Sequence, residues 1–130
     1  MPDRSLILDT CALLWLASGS RRLSAHVRNV IDAAPVVYVS AISAWEIGLK
    51  VVRGDLGLPL PPKEWFRDAV RNHDLVVVDL DADILMAANE LPWHHRDPAD
   101  RFILATARKH SLAIVTADAR FAAYGVPILA

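Results

Sequence analysis

His95-Arg96-Asp97-Pro98-Ala99-Asp100-Arg101-Phe102-Ile103-Leu104-Ala105 decides how the chain reads. Two acids, two arginines and a histidine stand in front of an apolar helical run. Asp97 has the chemistry of a helix N-cap, Pro98 suits the first turn, and Asp100 falls about one turn further in. Starting a helix needs no second acid, so Asp100 asks for another explanation. The helix is expected from Pro98 to His110. It leads to a short apolar strand, Ala113-Ile114-Val115, followed by Thr116-Ala117-Asp118.

The rest of the chain repeats this alternation. Ser5-Leu6-Ile7-Leu8 reads as a buried strand that ends at Asp9-Thr10, and a helix over Cys11 to Ala17 follows until Gly19 breaks it. Ser24 caps a second helix to about Ala34. Val36-Val37-Tyr38-Val39 is β-branched and unbroken, as parallel strands are. Ser43-Ala44-Trp45-Glu46 has the spacing of a capping box and opens a helix to about Val52. Gly54 to Pro62 is a Gly/Pro/Leu loop. A helix through Trp65 and Val70 leads to the strand Leu75-Val76-Val77-Val78. Ala82 to Glu90 is helical and stops at Leu91-Pro92-Trp93. Pro127-Ile128-Leu129 reads as a last edge strand. Short apolar strands alternating with helices predict an α/β sandwich around a mostly parallel sheet. With no internal repeat or linker, residues 1–130 are expected to form a single domain.

Bulk properties narrow the function classes. A hydrophobic fraction of 54% with 22% charged residues is that of a globular chain, not a disordered one. The net charge of −1 gives no global basic field, so a nucleic-acid partner needs a local patch and bound cations. Cys11 is the single cysteine, which excludes an internal disulfide and a Cys-based zinc site and suits a reducing cytosol. Met1-Pro2-Asp3-Arg4 leads into a very short apolar run, so a signal peptide and a membrane span are not expected, and the protein is expected to be soluble and cytoplasmic.

In open parallel sheets, ligands bind beyond the carboxyl ends of the strands. Asp9 follows the first strand, Glu46 sits in the helix after the second, Asp97 and Asp100 open the helix before Ala113, and Asp118 follows the strand ending at Val115. All are expected on one edge of the sheet. Singly, Asp9, Asp97 and Asp118 read as helix caps and Glu46 as the partner of Ser43. Together, carboxylates in so small a volume repel one another unless some are protonated or a cation joins them. Mg²⁺ or Mn²⁺ suits such oxygen ligands and keeps several waters. An open all-carboxylate site of this kind suits phosphoryl chemistry. No Walker-type loop or Gly-x-Gly-x-x-Gly supports nucleotide binding by a glycine loop.

Leu8-Asp9-Thr10, Ser43-Ala44-Trp45-Glu46-Ile47, His95 to Arg101 and Thr116-Ala117-Asp118 occur in an order that resembles the PIN-domain proteins. With the Gly54-Asp55-Leu56-Gly57-Leu58 loop, the chain looks most like the VapC toxins of bacterial toxin–antitoxin pairs. The resemblance runs from Leu6 to about Leu129. It implies a three-layer α/β/α sandwich with four to five mostly parallel strands, and an Mg²⁺- or Mn²⁺-dependent endoribonuclease. It also implies a homodimer and a small VapB-type antitoxin, the two forming a heterotetramer or larger assembly. The family's acids fall on Asp9, Glu46, Asp100 and Asp118, with Asp97 as an additional acid in the same motif. Asp9 and Asp100 are then the inner metal ligands, and Asp118 and Glu46 bind directly or through water. The reaction implied is in-line attack of water on phosphorus, leaving a 5′-phosphate and a 3′-hydroxyl. Ala99 stands where relatives often carry a bulky aromatic, which bears on packing beside the site.

Several side chains carry two readings. Thr10 and Thr116 orient carboxylates or waters, or else cap helices. Arg96 and Arg101 contact RNA phosphates, or else pair with neighbouring acids. Trp93 stacks on a base, or else anchors the loop after Pro92. Adjacent His94 and His95 do not share a helical face, so a loop role is favoured over metal binding. Trp15, Trp45 and Trp65 belong to the core or to a partner surface. Two other functions compete with the nuclease: a catalytically inactive PIN-like module and a receiver-like acidic-pocket binding module. A receiver-like site wants an acid pair after the first strand, where this chain has only Asp9.

Overall fold

The computed structural model describes residues 4–130; Met1, Pro2 and Asp3, read above as the polar lead-in, lie outside the described residues. Strand β1 (Leu6–Leu8) leads to helices α1 (Thr10–Ser18) and α2 (Ala25–Ala33). Next come β2 (Val37–Ser40), α3 (Ala41–Val52), α4 (Pro62–Asn72) and β3 (Leu75–Val78). Helices α5 (Ala82–Glu90) and α6 (Pro98–His110) precede β4 (Ala113–Val115). A short 3-10 helix (Ala119–Tyr124) precedes β5 (Ile128–Leu129). The five strands are parallel in the order β3-β2-β1-β4-β5.

β1 is central, with Leu8 in register with Val39 on one side and Val115 on the other. Its unbroken apolar run is explained by burial on both faces. Leu6 and Leu8 point into a core shared with α1, α2 and α4, and Ile7 points into a second core shared with α5 and α6. All three are fully buried. Each burial contributes about 1.5–3 kcal/mol. The result is a three-layer α/β/α sandwich. No helix among the described residues is long and apolar enough to cross a membrane.

The order of the strands places the site. From β1 the chain steps outward to β2 and β3, then returns through α5 and α6 to lay β4 on the other side of β1. The crevice beyond the carboxyl ends of β1 and β4 is therefore a topological switch point, where open α/β sheets bind their ligands.

One expected helix start is corrected. Ser43 does not cap α3. The helix begins at Ala41, and Ser40, the last residue of β2, is its N-cap, accepting from the Ile42 amide at 3.2 Å. Ser40 ends the strand and caps the helix, so no loop separates them. Ser43 lies one turn inside the helix and is fully buried.

Candidate metal centre

Each acid reaches the crevice from the start of a helix. Asp9 is the N-cap of α1, and its Oδ1 accepts from the Ala12 amide at 2.7 Å. Asp97 caps α6 through the Ala99 amide at 3.0 Å, and Asp118 caps the 3-10 helix through the Arg120 amide at 3.0 Å. Capping and site-forming are thus compatible roles for these three. Asp100 stands in the first turn of α6 and Glu46 in the second turn of α3. Asp9, Glu46, Asp97, Asp100 and Asp118 all line one cleft of about 360 Å³, together with Thr10, Lys50 and Arg120.

The electrostatics of the cleft are uneven. Burial pushes the Asp100 carboxyl up to about 7, and the charges of Asp97, Glu46, Asp9 and Asp118 push the same way. Burial also raises Asp9, against the Thr116 hydroxyl and the Ala12 amide, which lower it. Glu46 is raised by burial and pulled back by its bond from Thr10. Asp118 is the exception: Arg120 holds its carboxyl down to about 2. The guanidinium grips it with Nε 3.0 Å from Oδ1 and Nη2 2.8 Å from Oδ2. Lys50 lowers both Asp9 and Glu46 by its charge.

The donor set fits a hard divalent cation. The acids present carboxylate oxygens at the mouths of helix N-termini, and the raised carboxyl of Asp100 marks negative charge that a cation relieves. A closer group, His95, Asp100 and Asp118, places one ligand-type atom from each within 4.8 Å of the others.

The charge balance sets a pH dependence of stability. Asp100 has a folded value near 7 against an ordinary value of 3.8, so between these the folded chain binds a proton that unfolding releases. Stability without metal must therefore fall as pH rises through that window and level off above it, with the full shift worth up to about 4 kcal/mol. Asp118 has the opposite sign, but its window is about pH 2 to 4. Denaturant melts of the metal-free protein at pH 5 and pH 8 are expected to show the lower midpoint at pH 8. Equal midpoints would contradict the raised carboxyl.

Around the acids, Thr10 is buried and donates to Glu46 Oε1, while its oxygen lies 2.9 Å from the Ser43 hydroxyl. With the Thr10 proton on Glu46, Ser43 is the donor to Thr10. Thr116 is buried, and its hydroxyl accepts from the Asp118 amide at 3.0 Å. Lys50 and Arg120 were missed in the sequence, and Ser43 was read there as a helix cap and not as the support of Thr10. Ser43 and Lys50 flank Glu46 at i−3 and i+4, the spacing of one helix face, and Arg120 lies two residues past Asp118.

Both readings of Arg101 are corrected. It is only 3% exposed, so it offers nothing to RNA, and among the described residues it pairs with no acid. Its Nη1 donates to the carbonyls of Pro92 and His95, each at 3.0 Å, and its Nη2 to those of Ala88 and Leu91. The cause is the end of α5, whose last carbonyls have no helical donor and attract a cation. Trp93 closes this arrangement, with its ring centroid 3.6 Å from the Arg101 Cζ, as expected of a loop anchor. Arg96 is exposed on the same loop. Trp65 is buried, whereas Trp45, counted among core or partner-surface residues, is 61% exposed.

Comparison with known proteins places the fold. The family model described as PIN domain matches residues 6–127. Ribonuclease VapC22 of Mycobacterium tuberculosis is 28% identical over 124 residues, covering 95% of this chain and 94% of that protein. The solved VapBC2 of Rickettsia felis, bound to a promoter DNA fragment, superposes with a TM-score of 0.71 at 14% identity over 97% of each chain. A toxin–antitoxin complex from Klebsiella pneumoniae gives 0.66 at 22% identity over 96% of each. From Leu6 to Pro127, with its acids gathered at the β1/β4 crevice, the chain belongs to the PIN-domain family.

Proposed function

We propose that the chain is a divalent-metal-dependent endoribonuclease acting as the toxin of a toxin–antitoxin pair in the cytoplasm. The observation that carries this reading is the convergence of Asp9, Glu46, Asp97, Asp100 and Asp118 on one open cleft. Asp9 and Asp100 hold the cation, Mg²⁺ or Mn²⁺, and Asp118 and Glu46 complete its surroundings directly or through water. Asp97 adds charge at the rim. The bound cation supplies Lewis-acid stabilisation at phosphorus and activation of water. Thr10, backed by Ser43, fixes the Glu46 carboxylate, and Thr116 fixes the turn that carries Asp118. Arg120 keeps Asp118 ionised. Lys50 at the cleft wall and exposed Arg96 are the cations placed to meet RNA phosphates, and Trp93 has an exposed ring that can take a base.

An antitoxin of the VapB type and a second copy of the chain are the proposed partners. Trp45 and Val52 on α3, 61% and 85% exposed, give an apolar face on which such partners can dock. The name and solved toxin–antitoxin assembly of the relatives support this reading.

The test is incubation of purified protein with total RNA in Mg²⁺, Mn²⁺ or EDTA. Discrete fragments with 5′-phosphates, formed only with metal, are expected. Intact host RNA in the presence of metal, with antitoxin shown absent, would favour the inactive binding module instead.

A further inference from the structure

His95 is fully buried, yet every polar atom it has is engaged. Its amide donates to the Tyr124 hydroxyl at 2.8 Å, and Tyr124 in turn donates to the Pro92 carbonyl at 2.7 Å. Its carbonyl accepts from Arg101 at 3.0 Å. Its ring stands edge-on to Phe121, with centroids 5.4 Å apart. Main chain and ring are thus fixed from three sides before the acids are considered.

The two ring nitrogens face different chemistry. Nδ1 lies 3.3 Å from the Asp97 amide, which is a donor and can only be accepted. Where one nitrogen of an imidazole accepts, the other carries the proton, an assignment that rests on the bonds the ring makes. Nε2 then points an N–H at Asp118 Oδ2, 3.0 Å away, and lies 2.9 Å from Asp100 Oδ2. A nitrogen that carries a proton has no lone pair for a metal. The His95, Asp100 and Asp118 cluster therefore looks like a three-ligand site without being one.

We propose that His95 is a positioning residue: its Nε2–H ties Asp118 of the β4 turn to Asp100 of α6 and sets the gap between these two carboxylates without binding the cation itself. This inference rests on the metal-nuclease reading above and adds a residue to it. The arrangement also explains why Arg101 and Tyr124, both outside the cleft, converge on the loop at residues 91–97. They hold the strut that holds the acids. Removing a donor that orients metal ligands lowers metal affinity by about 10–100-fold.

The experiment compares full-length parent, His95→Gln and His95→Leu. Glutamine places an N–H donor close to where Nε2 stands, whereas leucine fills the space without one. Mn²⁺ binding by calorimetry is expected to weaken at least about 10-fold in His95→Leu and to stay within about 3-fold of the parent in His95→Gln. RNA cleavage is expected to fall chiefly through kcat in His95→Leu and to recover in His95→Gln. Pulsed EPR of the Mn²⁺-loaded parent is expected to show no directly coordinated ¹⁴N. It needs no variant, so poor folding of His95→Leu does not blunt it. A ¹⁴N coupling that disappears in His95→Gln would make His95 a ligand and overturn the proposal. So would Mn²⁺ affinity and cleavage in a folded His95→Leu equal to the parent's. A parent that binds no Mn²⁺ would instead defeat the metal-centre reading, so the two failures have different signatures.

Discussion

Asp100→Asn is expected to abolish RNA cleavage, slowing it at least about 10³-fold, or about 4 kcal/mol in the barrier, while the protein stays folded. The side chains are nearly the same size, so packing at the start of α6 is kept, and Asp97 rather than Asp100 provides the cap. What is lost is one negative oxygen ligand from the middle of the acidic cleft. The same substitution is expected to stabilise the metal-free protein at pH 8 by about 1–3 kcal/mol, because the fold no longer has to ionise a carboxyl held near 7. Lost activity with gained stability is hard to obtain from simple misfolding. Cleavage equal to the parent's after rigorous purification would show that Asp100 is not in the reacting site. A lower midpoint than the parent's at pH 8 would show that its charge is not the burden the cleft implies.

Arg101→Leu is expected to be the most damaging change outside the acids. The side chain donates to four carbonyls, at Ala88, Leu91, Pro92 and His95, in a setting with almost no water. Leucine fills part of the space and satisfies none of them. A buried acceptor left without a partner costs about 1–3 kcal/mol, so a total above about 3 kcal/mol follows even if some carbonyls find water. For a chain of this length that is a fall in Tm of roughly 10 °C or more. Cleavage at a temperature where the variant is still folded is also expected to drop, since the loop carrying His95 loses its anchor. A loss under about 1 kcal/mol in denaturant melts would mean the four bonds are replaceable and the loop is held by something else.

The fold was largely legible because the signals are local. Leu6-Ile7-Leu8 and Ala113-Ile114-Val115 are too short and too apolar to be anything but buried strands, and an acid after each marked the sheet's carboxyl edge. The cleft acids were legible for a similar reason: each lies at or within the first two turns of a helix, after a strand for Asp9, Glu46 and Asp118 and after the α5–α6 loop for Asp97 and Asp100. The capping-box reading of Ser43 and Glu46 failed because Ser40 could cap as well, and sequence alone does not say which serine ends the strand. Ser43 then turned out to back Thr10 and Glu46, a contact between α1 and α3 that depends on how the layers pack. Arg101 was misread for a related reason. Next to Asp97 and Asp100 it looks like a surface ion pair, but its partners are the carbonyls at the end of α5, and main-chain acceptors leave no mark in a sequence. His95 was read as part of a loop, which it is; that its ring spans two of the acids follows only from the approach of the β4 turn to α6.

The measurement that goes most directly to the central claim is Mn²⁺ titration of the metal-free protein at pH 7.5, beside Asp9→Asn and Asp100→Asn. Saturable binding in the parent that weakens at least about 10-fold in both variants, with their far-UV spectra unchanged, is the result expected of carboxylate ligands at the β1/β4 crevice. Equal Mn²⁺ binding by all three folded proteins would place the cation elsewhere and contradict the site.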